Sequence, residues 1–145
     1  MMLSHHQDMH AIFASLYQAL QMQDIKSLSL GEQFYIANKK ALLFLRSEGY
    51  ISFEEFHGLS APLSINMNSP DFIMDLGSMF DDKEKIAELN RIVSHCKEGT
   101  TLVSGTLADQ LNLPKTVVRA CFEINERQGQ GYCSGGYICL RYLGR

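Results

Sequence analysis

Apolar residues recur at spacings of three and four along most of this chain, and the breaks in that spacing divide it into short helices. Between Gln7 and Gln23, Met9, Ile12, Phe13, Leu16, Tyr17 and Leu20 share one helical face. Asp24 to Ser29 reads as a connection. Ser29, with Glu32 three residues on, is a capping-box pattern that predicts a helix from about Leu30 to Ser47. Phe34, Ile36, Ala37, Ala41, Leu42, Phe44 and Leu45 surround much of that helix, as in a central, heavily buried one. Gly49 ends it. Tyr50-Ile51-Ser52-Phe53 is either a short strand or the lead into a small helix through Glu54, Glu55 and Phe56. Gly58 to Pro70 is a loop of turn-forming residues. Ser69 as cap and Pro70 in the first position open a helix over Asp71 to Phe80. Asp81 or Asp82 caps the next, which carries Ile86, Leu89, Ile92, Val93 and Cys96 and stops before Gly99.

The last third has a different rhythm. Thr100 to Val103 suits a short strand, with Ser104 capping the next helix. Thr106 to Leu111 is an amphipathic helix whose Leu107, Ala108 and Leu111 share a buried face. Asn112-Leu113-Pro114 breaks it, because proline lacks the N–H donor and disfavours helix at the residue before it. Lys115 opens a second, longer helix. Val117 or Val118, then Cys121, then Phe122 or Ile124 face inward, which projects Lys115, Thr116 and Arg119 outward. Gln128-Gly129-Gln130-Gly131 stops this helix. Tyr132-Cys133 and Tyr137 to Tyr142 are strand-like, and Ser134-Gly135-Gly136 between them signals a tight hairpin.

The two helices across the Asn112–Pro114 turn form a helix-turn-helix. The order helix, strand, helix, turn, helix, hairpin from Asp82 to Arg145 resembles the winged helix-turn-helix superfamily, common among bacterial transcription regulators. The spacing Leu-Ala-x-x-Leu-x-Leu-x-x-x-x-Val-Arg from Leu107 to Arg119 carries the resemblance, over less than half of the chain. The fold class expected is mainly α with a small β-hairpin. Residues 1–81 make a helical N-terminal part and 82–145 a winged helix-turn-helix domain. Leu45 to Ile51 is itself similar to the junction after a recognition helix, so a degenerate N-terminal winged helix is the alternative for 1–81. The resemblance implies a DNA-binding transcription regulator. Arg119 would read base edges with Thr116 beside it, while Lys115 and Arg127 would hold phosphates. The alternative is a winged helix used as a protein–protein interaction module, an adaptor or assembly subunit without DNA binding.

Composition shifts the balance between these readings. The 145 residues are 46% hydrophobic and 20% charged, as in a soluble globular protein. The net charge is −3. Residues 1–81 hold 4 Lys/Arg against 9 Asp/Glu, a net of −5, and residues 82–145 hold 9 against 7, a net of +2. Basic charge is biased toward the C-terminal segment, but it forms no strong stripe, and phosphate neutralisation supplies most non-specific DNA affinity. Ser134-Gly135-Gly136 offers no cation at the hairpin tip. Both features favour the interaction module. The helix at Leu30 to Ser47 and the apolar patch at Phe72 to Phe80 lead us to expect a homodimer through the N-terminal helices.

Four scattered cysteines, Cys96, Cys121, Cys133 and Cys139, do not make a disulfide framework and fit a reduced cytoplasm. No secretion signal or membrane-spanning run is evident. No phosphate-cradling glycine loop, zincin helix, nucleophile elbow or dinucleotide fingerprint occurs, so the expectation is a non-enzyme without cofactor or metal. His6 and His10, four apart, read as a solvated helix start. His95-Cys96 reads as a helix end and Cys121 as a core residue. Cys133 and Cys139 flank the hairpin without a Cys-x-x-Cys knuckle.

Overall fold

The computed structural model describes residues 6–80, 82–97, 99–134 and 137–140. It is mainly helical, with small antiparallel sheets. The first half runs α1 (His6–Gln23), β1 (Ser27–Leu28), α2 (Glu32–Ala37), α3 (Lys39–Ser47) and β2 (Ile65–Asn66). A linking helix, α4 (Pro70–Met79), comes next. The second half runs α5 (Lys83–Ser94), β3 (Thr101–Val103), α6 (Ser104–Leu111), α7 (Lys115–Arg127), β4 (Gly131–Ser134) and β5 (Tyr137–Leu140). Gly135, Gly136 and residues 141–145, which hold the hairpin tip and the end of the last expected strand, lie outside the described residues.

The two sheets differ in size: β1 and β2 make a two-stranded antiparallel sheet, and β3, β5 and β4 a three-stranded one. In the second half the order is β3-β5-β4, with Leu102 opposite Ile138 and Ile138 opposite Cys133. The strand last in sequence sits in the middle. In the first half Asn66 on β2 pairs with Ser27 on one side and with Ser52 on the other. Backbone hydrogen bonds of 2.9 Å and 2.7 Å join Ser52 and Asn66 in both directions. Here too the last strand is the middle one. Both segments open helix, strand, helix, helix; the first then closes on a two-residue strand and a single bridge, the second on a hairpin.

The predicted single helix over Leu30 to Ser47 is two helices. Asn38 breaks it, at φ −121° and ψ 23°. Its side-chain amide donates to the Phe34 carbonyl at 2.9 Å, satisfying a group that the ending helix leaves open. The capping box does not form either. Gly31 takes the cap position at φ 88°, and Ser29 turns back to Gln23, its N–H donating to Oε1 at 3.0 Å. No helix forms through Glu54 to Phe56; residues 53–64 are a long loop between Ser52 and β2. By contrast Ser69 caps α4 as expected, its Oγ accepting from Phe72 N–H at 3.2 Å with Pro70 in the first turn.

One core joins the halves. Leu16, Tyr17 and Leu20 of α1, Leu42 and Leu45 of α3, Ile73 and Leu76 of α4, Leu89 of α5, and Val117, Val118 and Phe122 of α7 are all buried in it. Ile73 and Leu76, at the heart of the apolar patch read from Phe72 to Phe80, are fully buried within this chain, and Met79 is the exposed one among its large apolar residues. Gly77 lets α4 and α5 approach closely, since a Cβ there would strike Ile86. Beside it Asp82 is buried, accepting from Tyr17 Oη at 2.5 Å. Asp82 stands at the cap position of α5, but its carboxylate serves Tyr17 and Lys85 rather than the helix amides.

Candidate interaction face

α7 comes after α6 across a turn in which Asn112 adopts the left-handed conformation at φ 56° and Pro114 stands at the cap position. Val117, Val118, Ala120, Cys121 and Phe122 are buried, as the spacing predicts. The exposed stripe runs from Lys115 through Arg119 to Glu126 and Arg127, with Glu123 half-buried beside it.

The structure separates the four residues read as DNA contacts. Lys115 and Arg119 are exposed. Thr116 is not: it is 5% exposed, and its hydroxyl donates to Asp24 Oδ1 at 2.8 Å. The outward projection read for Thr116 is therefore corrected, and the cause lies 92 residues away. Asp24 ends α1 in the left-handed conformation, at φ 49°, and points its carboxylate at the start of α7. Oδ2 accepts from Lys115 N–H at 3.0 Å and Oδ1 from Thr116 N–H at 2.8 Å. Two of the amides that a helix start leaves free are thus satisfied by a carboxylate, which also suits the positive end of the helix dipole. Arg127 lies at the opposite end of the helix. Its guanidinium makes a two-pronged pair with Asp71, at 2.8 and 3.0 Å. That pair holds the Asp71 carboxyl below the usual carboxylate range.

Other polar groups of the stripe are also engaged. Lys26 Nζ lies 2.9 Å from Glu123 Oε2. Glu126 accepts from Cys133 N–H at 2.8 Å, which occupies a donor on strand β4. Arg119 Nε donates to Ser104 Oγ at 3.2 Å, fixing the stem of the side chain. Ser104 was expected to cap α6; instead it is the first residue of the helix, and its buried hydroxyl serves Arg119. Flanking Asp24 are two exposed apolar side chains, Met22 at 78% and Ile25 at 52%. The start of α7 carries the Asp24 carboxylate on its first two amides.

A second feature lies on the first half. The 53–64 loop folds against α2 and α3, leaving a groove of about 300 Å³ lined by Tyr35, Lys39, Glu55, Leu59 and Pro62. Tyr35 Oη donates to Glu55 at 3.4 Å, and Arg46 pairs with Glu55 at 3.2 Å while lying over the Phe53 ring. Ser60 Oγ donates to Glu32, tying the loop to the start of α2.

Of the described cysteines, Cys121 is buried and Cys133 and Cys96 are partly buried. Burial pushes Cys121 up to about 12 and Cys133 up to about 11, away from the thiolate a redox sensor needs. No three His, Cys, Asp or Glu side chains converge among the described residues. His10 packs on the Phe80 ring, and the His6 side chain lies outside the described residues. No described helix is long and apolar enough to cross a membrane. Comparison with protein-family models, with curated proteins and with solved structures gives no match.

Sequence reasoning missed Asp24 and the groove. Asp24 sat in an apparently plain connection, and the groove needed the break at Asn38 before α2, α3 and the loop could be set around it.

Proposed function

We propose that the chain is a protein-interaction module built from a winged helix in its second half and a reduced winged helix in its first. The matching strand orders, each with the last strand central, support the tandem reading. The single observation that carries the function is Asp24 on the start of α7. A recognition helix needs that end open to phosphates and bases. Here a carboxylate takes the Lys115 and Thr116 amides, Thr116 is buried, and the exposed side chains nearest Asp24 in sequence, Met22 and Ile25, are apolar. Apolar side chains beside a few charges suit a protein partner better than a polyanion.

The second reading is DNA contact through Lys115 and Arg119. The exposure of Arg119 and its support by Ser104 favour it. Titration of the full chain into labelled random-sequence duplexes at low salt separates the two. The interaction module predicts no saturable anisotropy change at high micromolar protein. Submicromolar binding that falls with salt and is lost in Arg119→Ala would reverse the assignment.

A further inference from the structure

We propose that α1 governs the joint between α6 and α7 through two polar links, so that a displacement of α1 is passed to the start of α7. Two strained residues mark the links. Among the described residues, Asp24 and Asn112 are the non-glycine residues at positive φ, 49° and 56°. Such a conformation persists where the surroundings hold it. Asp24 follows the last residue of α1, and Asn112 opens the turn after α6.

The first link is direct: the Asp24 carboxylate takes the Lys115 and Thr116 amides, at 3.0 and 2.8 Å, and the Thr116 hydroxyl. The second runs through the start of α5. Tyr17 Oη donates to Asp82 Oδ2 at 2.5 Å, and Lys85 Nζ lies 3.3 Å from Asp82 Oδ1. The same Nζ donates to the Asn112 carbonyl at 3.1 Å. One ammonium is thus shared between a buried carboxylate and a carbonyl of the turn. Asp82 is 4% exposed, and a buried carboxylate depends on its few partners. Its remaining donor, Gln21 Nε2, is as far as 3.4 Å. When the Tyr17 hydroxyl withdraws, Asp82 draws Lys85 toward itself, because a charged pair outcompetes a neutral carbonyl. The Asn112 carbonyl then loses its donor. Tyr17 and Asp24 belong to the same end of the chain, so one movement of α1 acts on the carbonyl that opens the turn and on the amides that close it.

This coupling is independent of whether α7 meets protein or nucleic acid, and the chain without any partner tests it. The reporter is the Leu113 amide, whose N–H shares a peptide unit with the Asn112 carbonyl and responds to the hydrogen bond that carbonyl accepts. In nuclear magnetic resonance spectra of the isotope-labelled full chain, Lys85→Met should move the Leu113 amide signal. Tyr17→Phe should move it in the same direction. Added to Lys85→Met, Tyr17→Phe should move it no further, an outcome that two unconnected structural roles would not give. Circular dichroism should show both variants folded. If Tyr17→Phe does not fold, the relay is read in reverse: Lys85→Met should shift the ring signals of Tyr17. A Leu113 amide that stays in place in either single variant overturns the proposal. So does one that Tyr17→Phe moves as far without Lys85 as with it, or a Tyr17 ring indifferent to Lys85→Met.

Discussion

At the scale of single residues, Asp24 decides most. Its carboxylate serves three donors at the start of α7, so Asp24→Ala should cost about 0.5 to 2 kcal/mol, the usual loss of a helix cap, by urea titration. Asp24→Asn keeps an acceptor and should lose less. This role could not be read from the chain, because local capping rules look just before the helix, where Pro114 stands. The Tyr17–Asp82 pair was equally hidden, since its partners are 65 residues apart. Burial, with Asp82 against it, pushes the Tyr17 phenol well up. A folded-state value above the unfolded one, about 10, means that stability is intact below that pH and declines above it as the unfolded chain releases its proton. Melts of the parent should show this alkaline decline, and Tyr17→Phe should lose Tyr17's share of it. Arg127→Ala should leave the thermal midpoint near the parent value, because both members of its pair with Asp71 are exposed to solvent.

At the scale of elements, the pattern was most legible where one helix has one apolar face. The inward set of α7 and the Ser69–Pro70 start of α4 stand as read, because period and cap are local signals. The helix at Leu30 to Ser47 misled for a physical reason: apolar residues on several sides look like one buried helix, but they are two helices whose faces turn at Asn38. Burial also corrects a magnitude. Leu111 is only half-buried, whereas Leu107 is 5% exposed. Leu107→Ala should therefore cost on the order of 2 to 5 kcal/mol and Leu111→Ala distinctly less, with Lys115→Ala close to neutral. Gly77→Ala should cost about 1 to 3 kcal/mol through overpacking against Ile86. Chemical denaturation of the four variants tests the ranking.

At the scale of the whole molecule, the halves share a core and are tied by Asp24 to α7, Lys26 to Glu123 and Asp71 to Arg127. The order of elements in the second half was legible because its turn and hairpin carry strong local markers. The strands of the first half were harder to read, since they are only two residues and one bridge long. The separation of charge, −5 against +2, was visible, but its consequence was not: the acidic half lends a carboxylate to the helix start that DNA would need. The most direct measurement is a nuclear magnetic resonance titration of the isotope-labelled chain with duplex DNA at low salt, tracking the amides of Lys115, Thr116 and Arg119. The account predicts that these signals stay in place while Asp24 holds the first two. Progressive, saturable shifts confined to these amides and those of the hairpin would contradict it.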